Sequence, residues 1–530
     1  MLAASLLLLA GCGSEPPAAP PEEPYDASGR PARPLPALPR RPNVIVLVID
    51  TLRADAVDVQ PGEPQGMPWL SRHARASTCF TQASASAPWT LPSMASLLTG
   101  LLPDGHGVVG EDMPPNAMQR ATTWADVMAQ ALGYHTAALF GGLAPGVAAD
   151  LGHGFARVED GFTLAAAERW LDTFEAGRPK GAPFFLLLHT YEAHDPYGPA
   201  ARAPGATDAA ALERALAALD ALPPGTHVRE RVRRSVTDAA QRLVLRQHPR
   251  HRLHQADMTR YLWDGLATDP DRAAAEGLAR ELEQAYRRGL SWVDGLLEQA
   301  VASLRRRGLL DDTLLVITAD HGEAFGEHGM LLHGRSLHDE VVRVPLVLQG
   351  PAPFDTPRVV EGSAGLRDLF PSVLAWLGAP LPRVLEGRSL LPLLGPRVEA
   401  SLSAGLPVEA QEVRTHMHTG GRSQAIVGSV RDSHWKYIGT YDATAGTLRE
   451  QAFDLRSDPE ERQDRAGADG LVGDLPFTPA FCRAVERARD RLWAGAAQAA
   501  WSAAQGYSSG QSSVQVPRPA ATCEPAATPR

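Results

Sequence analysis

The run NVIVLVID, residues 43–50, is apolar on both of its alternating faces, rich in β-branched residues, and stops on a carboxylate. An apolar run of this kind reads as a central parallel strand buried from both sides. The pattern returns in PFFLLLHTYEAHDPY (183–197), which closes on His, Glu, His and Asp, and in TLLVITADHGEAFGEHG (313–329), which passes into Asp320 and His321. VRVPLVLQG (342–350) is a fourth such strand. Helical stretches such as TTWADVMAQALGY and AYRRGLSWVDGLLEQAVASLRRRGLL lie between them. Strands alternating with helices predict an α/β fold with a mostly parallel central sheet flanked by helices. Such sheets carry their sites at the carboxyl ends of the strands. Three strands here finish in carboxylates and imidazoles, and that recurrence weighs more than any single motif.

With 530 residues, 44% of them hydrophobic, the chain is long enough for one large core and a smaller second domain. The first unit spans 41–394, with an Ala/Arg/Asp-rich helical insertion at about 201–282 that reads either as a lid or as a solvated subdomain. The texture changes after residue 394. SQAIVGSVRDSHWKYIGTYD (423–442) predicts two strands joined by a turn at 431–433, and FCRAVERARDRLWAGAAQAAW a closing helix, so 395–500 reads as a small α+β domain before a loose tail at 501–530. The net charge of -10 and the absence of a basic stripe argue against a nucleic-acid partner.

The opening segment MLAASLLLLAGCGSEPPAAPPEEP holds an apolar stretch too short to span a bilayer. It ends in LAGC, residues 9–12, which resembles the lipobox of bacterial lipoproteins, although no Lys or Arg precedes Leu2. Residues 1–12 are accordingly expected to be a lipoprotein signal with lipid on Cys12, and the Pro/Glu/Ala-rich 13–40 a disordered tether. That places the protein on the membrane of a bacterial cell envelope. Cys79, beside Phe80, reads as a buried apolar cysteine, and Cys482 with Cys523 is the candidate pair in an oxidising compartment.

Asp50, Asp320 and His321 all sit at strand ends. Each alone reads as a cap or turn residue; together they suit a divalent cation such as Ca²⁺, Mg²⁺, Mn²⁺ or Zn²⁺. In PWTLPSMASLLTG (88–100), Thr90 precedes a Pro-Ser pair that opens a helix. A helix N-terminus offers N–H groups and a positive dipole end to an oxyanion. Thr90 is equally placed to cap that helix, and the stretch alone leaves both roles open.

The ordered set PNVIVLVIDTLRAD, TLPSMASLLTGLLPDGHGV, HTYEAHDPY, LDDTLLVITADHGEAFGEHG, HGRSLHDEVVRVPLVL, GLRDLFPSVLAWLG, LEGRSLLPLL and FDLRSDPEER resembles the sulfatase family of the alkaline phosphatase superfamily, in the branch that carries DTLR after the first strand. The likeness runs over most of residues 41–465. It implies metal ligation by Asp50, Asp320 and His321, and a metal-bound nucleophile at Thr90. It further implies His194 near the substrate oxyanion, and His333 and Arg335 on the transferred group, with His328 a lesser candidate. Glu192 and Asp195 are weaker candidates for a second ion.

Two departures stand out. Thr90 replaces the Cys or Ser that becomes formylglycine, so no formylglycine is expected, and Met94 replaces the accompanying arginine. Thr51 replaces the second carboxylate of the usual Asp-Asp pair. The implied activity is therefore metal-dependent hydrolysis or transfer of a small-molecule, glycan or lipid ester, phosphate or phosphonate rather than sulfate. True sulfate-ester hydrolysis and a non-catalytic, membrane-tethered binding protein are the alternatives.

Overall fold

The computed structural model describes residues 41–60, 62, 66–109, 116–194, 197, 269–334, 336–379, 381–395, 411–419, 423–442, 447–467, 472 and 475–505. The proposed signal and tether, most of the insertion, Asp195, Arg335, Cys523 and the end of the chain lie outside these residues.

The larger unit is built on an eight-stranded sheet in the order β10-β2-β9-β6-β1-β5-β3-β4. Its strands are β1 (Asn43–Ile49), β2 (Thr78–Ser84), β3 (His135–Phe140), β4 (Arg157–Asp160), β5 (Phe184–Thr190), β6 (Thr313–Thr318), β9 (Leu346–Gln349) and β10 (Arg358–Gly365). Every residue of β1, β5 and β6 is buried, as continuous apolar runs require when both faces are covered. Helix α1 (Pro68–Arg75) packs on the long helix Asp269–Arg306, whose Asp294 accepts from the N–H groups of Trp69 and Leu70 at the start of α1. Helix α2 (Thr90–Thr99) packs on the apolar helix Leu369–Trp376.

One strand runs against the rest. β9 is antiparallel to both β2 and β6, and it begins at Leu346, because Val342 still belongs to the single helical turn Asp339–Val342. A parallel return needs a crossover, usually a helix. The segment between β6 and β9 instead carries a two-stranded ribbon, β7 (Ala324–Phe325) with β8 (Leu331–Leu332), and that one turn. An apolar run records burial but not direction.

The C-terminal unit is a separate antiparallel sheet, β11 (Gln411–Thr419), β12 (Ser423–Arg431), β13 (Trp435–Asp442) and β14 (Thr447–Asp454), covered by the helix Pro479–Gln505. Val430, Trp435, Tyr437, Phe477, Phe481 and Val485 form its own core. A seam of Leu337 and Val342 against Val427, Ile438 and Phe453 joins it to the larger unit. Cys482 is disulfide-bonded, whereas Cys79 is a free, buried thiol that burial pushes up to about 12.

Candidate active site

β6, β1 and β5 are neighbours, and their pairing keeps their ends level: Val48 lies opposite both Thr318 and His189. Asp50 follows β1, and Asp320 with His321 follows β6, so the carboxylates meet because the strands do. One donor atom from each of Asp50, Asp320 and His321 lies within 4.8 Å of the others, and all three residues are fully buried.

Thr90 is the first residue of α2, and the capping position belongs to Trp89, which makes no side-chain cap. The Thr90 hydroxyl turns instead to the cluster, with Oγ1 3.3 Å from Asp50 Oδ2 and 3.3 Å from His321 Nε2. Ser93, one turn on, donates its hydroxyl to the Asp320 carbonyl at 2.6 Å and pins the helix there.

Asp50 Oδ1 and Asp320 Oδ2 have no hydrogen-bond partner although both are buried. Burying carboxylate oxygens without a partner is costly, so two strand-end carboxylates with orphaned oxygens fit a divalent cation. The site's acid–base balance has the same sense. Burial disfavours charge on Asp50, but the close contact of His189 and the imidazoles of His194 and His321 outweigh it and hold the carboxyl below its usual range. His321 moves the other way: burial, more than its neighbours, lowers it and favours the neutral imidazole that a metal requires.

Thr51 has a positive φ of 60° and sends its hydroxyl to the backbone carbonyls of Asp50 and Ala193, so its side chain is turned from the cluster and only its N–H reaches it, donating to Asp320 Oδ1 at 3.4 Å. Met94 is buried in the core.

Around this centre His194 stacks on Tyr191 at 3.9 Å, and its Nε2 meets the Tyr191 hydroxyl at 2.9 Å. Gly142 permits this platform, since a Cβ there would fall inside the Tyr191 ring. His333 lies 4.5 Å from the His321 ring and 5.0 Å from the His194 ring, with Nδ1 held at 2.8 Å by Glu323. Burial opposes a charge on His333, yet Glu323 outweighs it and raises the imidazole above its ordinary value. Glu323 is itself fixed by the Tyr197 hydroxyl at 3.0 Å.

Thus Asp50, Thr90, His194, Asp320, His321 and His333 come together. Glu192 does not join them by any of its observed hydrogen bonds, which come from Thr190 Oγ1 at 2.8 Å and Leu164 N at 3.0 Å. His328 belongs to a second cluster with His338, Glu340 and Glu461. Glu323 is not singled out in the sequence, and His189 is read there among the imidazoles and carboxylates that close 183–197 but is given no role; His189 lies within β5, opposite Val48, one residue before the strand's end.

A family model described as Sulfatase matches residues 42–379. The chain belongs to the Sulfatase family. The proteins that this sulfatase-family chain resembles include, by name, arylsulfatases and a phosphonate monoester hydrolase. It is 30% identical over 188 residues to arylsulfatase K of Xenopus laevis, covering 36% of this chain and 34% of that one. It is 28% identical over 208 residues to the multifunctional alkaline phosphatase superfamily protein PehA of Trinickia caryophylli, covering 39% and 36%. The matched region thus spans about a third of the length of these curated relatives. Among solved structures, BT4656 in complex with its substrate D-glucosamine-2-N,6-O-disulfate matches with a TM-score of 0.56 and 20% identity, over 80% of this chain and 93% of that one. The phosphonate monoester hydrolase of Agrobacterium radiobacter matches with a TM-score of 0.52 and 20% identity, over 80% and 91%.

Proposed function

We propose that this sulfatase-family protein is a divalent-metal-dependent ester hydrolase that uses the Thr90 hydroxyl itself as nucleophile, on phospho- or phosphonoesters in preference to sulfate esters. The observation that carries the reading is the position of Thr90 Oγ1, 3.3 Å from Asp50 and 3.3 Å from His321 at the first residue of α2. Asp50, Asp320 and His321 would hold the ion, which lowers the pKa of a bound hydroxyl and polarises an ester oxygen.

Thr90 Oγ1, its proton passed to solvent as a bound cation would allow by lowering its pKa, attacks phosphorus in line, forming an Oγ1–P bond as the ester P–O bond breaks. Pro92 has no N–H and Ser93 N bonds the Trp89 carbonyl at 3.3 Å, so the start of α2 offers the equatorial oxygens the N–H groups of Thr90 and Leu91. His333, with Nδ1 tied to Glu323, keeps Nε2 to donate a proton to the leaving oxygen. His194, oriented by Tyr191, binds the transferred group. Water or an acceptor alcohol then releases it from Thr90. The preference for phosphorus follows from the side chain: a threonine cannot be converted to formylglycine, whose hydrate expels sulfate. The likeness in fold to a phosphonate monoester hydrolase supports the same ester class, and the similarity to arylsulfatase K supports sulfate as the competing one.

Parallel assays on an aryl sulfate, a phosphate monoester, a phosphate diester and a phosphonate monoester test the preference, and faster turnover of the sulfate would reverse it. Thr90→Ala, folded and metal-loaded, should lose turnover; unchanged turnover would sink the mechanism. We further propose that the enzyme is exported and membrane-tethered through lipid on Cys12, within LAGC at 9–12. A Cys12→Ala chain should then leave the membrane fraction.

A further inference from the structure

His189 lies among the residues of the proposed site and has no part in the reaction described above. It is fully buried near the end of β5, between Val48 of β1 and Phe140 of β3, so it has no direct path to a substrate. Its Nδ1 is 3.2 Å from the Gly141 carbonyl, which can only accept, and so Nδ1 carries a proton. Gly141 allows that approach, since a Cβ there would meet the His189 and Phe162 carbonyls and the Tyr191 N–H at 2.7–3.2 Å. Nε2 is thereby aimed at the carboxylates, 3.4 Å from Asp50 Oδ2 and 3.7 Å from Asp320 Oδ2. It has no hydrogen-bond partner, in common with Asp50 Oδ1 and Asp320 Oδ2.

His321 is arranged in the same way. Its Nδ1 is 2.9 Å from the Gly322 carbonyl, and its Nε2 is 3.5 Å from Asp50 Oδ1 and 3.5 Å from Asp320 Oδ2. A ring N–H anchored on a backbone carbonyl, with the other nitrogen turned toward carboxylates, is the outer-sphere device that orients metal-ligating histidines. Two carboxylates facing one ring nitrogen call for a positive charge between them: a proton on Nε2 in the metal-free site, or a cation that takes its place.

We propose that His189 Nε2 is a direct ligand of the divalent cation, supplying the donor that the Thr51 side chain does not, and that the site therefore selects a borderline ion such as Zn²⁺ or Co²⁺ over Ca²⁺. The proposal rests on the metal-dependent reading above. Two imidazoles, two carboxylates and a hydroxyl form a mixed N/O set, whereas Ca²⁺ takes six to eight oxygens.

The test uses metal-stripped protein reloaded with Zn²⁺, Ca²⁺ or Co²⁺ alone, with affinity read by chelator competition. His189→Gln should weaken Zn²⁺ by at least about 100-fold, beyond the roughly 10- to 100-fold of a lost outer-sphere partner, and Ca²⁺ by much less. A Zn²⁺ change below about tenfold would overturn the proposal. The Co²⁺ form of the unmutated protein should show two paramagnetically shifted, exchangeable ring N–H resonances, from His189 and His321; a single one would overturn it. That count needs no variant, so a His189→Gln chain that fails to fold leaves the test intact. Failure of the unmutated protein to bind any of the three ions would defeat the metal-dependent reading as well. Thr90→Ala that loses turnover and keeps both resonances would uphold both.

Discussion

The protein buries two clusters of histidines and acids that look alike by composition and differ in how their charges are met. In each, three donor atoms converge within 4.8 Å: Asp50, Asp320 and His321 in one, His328, His338 and Glu461 in the other. At the first, Asp50 Oδ1, Asp320 Oδ2 and His189 Nε2 are buried without a partner. At the second, the cations are built in. Lys436 Nζ lies 2.7 Å from Asp339 Oδ1 and makes an ion-pair contact of 2.7 Å, poorly aligned for a hydrogen bond, with Glu461 Oε1. Arg431 pairs with Asp339 Oδ2 at 2.9 Å. His328 has Glu340 Oε1 3.0 Å from Nδ1 and the Glu461 carbonyl 3.0 Å from Nε2, so both ring nitrogens face acceptors and the ring is itself the cation. It stacks on His338 at 3.6 Å. Burial disfavours charge on Asp339, but Arg431 and Lys436 overcome it and hold the carboxyl well below its usual range. A cluster that supplies its own counter-charges is a clamp, here between the two units; one that leaves carboxylate oxygens orphaned calls for a cation from outside.

Substitution should separate the two. Asp320→Asn is expected to cut turnover on the order of 1,000-fold or more, as losses at a concerted catalytic centre do. The melting temperature of its metal-free form should hold or rise, because a buried, incompletely paired carboxylate is gone. Steady-state kinetics beside thermal melts in a chelator check this, and a fallen melting temperature would show that Asp320 also holds the fold. Asp339→Ala should do the reverse. Stranding Arg431 and Lys436 costs roughly 3–5 kcal/mol, read by denaturant unfolding, while turnover per folded molecule stays within a few-fold. Collapse of turnover in a still-folded chain would make the clamp part of the catalytic apparatus. Metal removal is a smaller perturbation. At an ion concentration 100 times its Kd, binding contributes about 2.7 kcal/mol, so a chelator should lower the melting temperature of the unmutated protein and of Asp339→Ala alike, and leave Asp320→Asn unmoved.

How much of this could be read from the sequence follows from what each signal encodes. Burial on both faces is written in every residue of β1, β5 and β6, so the parallel core and the strand-end position of Asp50, Asp320 and His321 were legible. Strand direction is not written there: β9 is as apolar as its neighbours and runs the other way because of what precedes it. The hydroxyl of Thr90 was ambiguous between capping and the site, since both demand a helix start; the structure puts Trp89 at the cap and turns the Thr90 hydroxyl toward Asp50 and His321. His189 was visible among the residues that close 183–197 but drew no role, because the contact that orients its ring comes from Gly141, nearly fifty residues away in sequence. Likewise, nothing near His328 announces that its partners, Glu340 and Glu461, come from beyond the ribbon and from the other unit.

The finest test of the comparison is pH, because the clamp holds His328, whose charge depends on it. Burial lowers the His328 pKa, but the hydrogen bond and charge of Glu340, joined by the carbonyl and charge of Glu461, raise it above the ordinary 6.5. A group whose pKa is raised on folding stabilises fully below its unfolded value and loses that contribution as pH climbs through the folded one. The contribution should therefore be whole below about pH 6.5 and fade above it, by about 1 kcal/mol or less, the order of a single partly exposed charge-assisted contact. Melting temperatures of the metal-free protein between pH 6 and 9 should fall more steeply for the unmutated chain than for His328→Gln, which has no charge there to lose. Parallel curves would mean that His328 is neutral in the fold, and that the clamp rests on Lys436 and Arg431 alone.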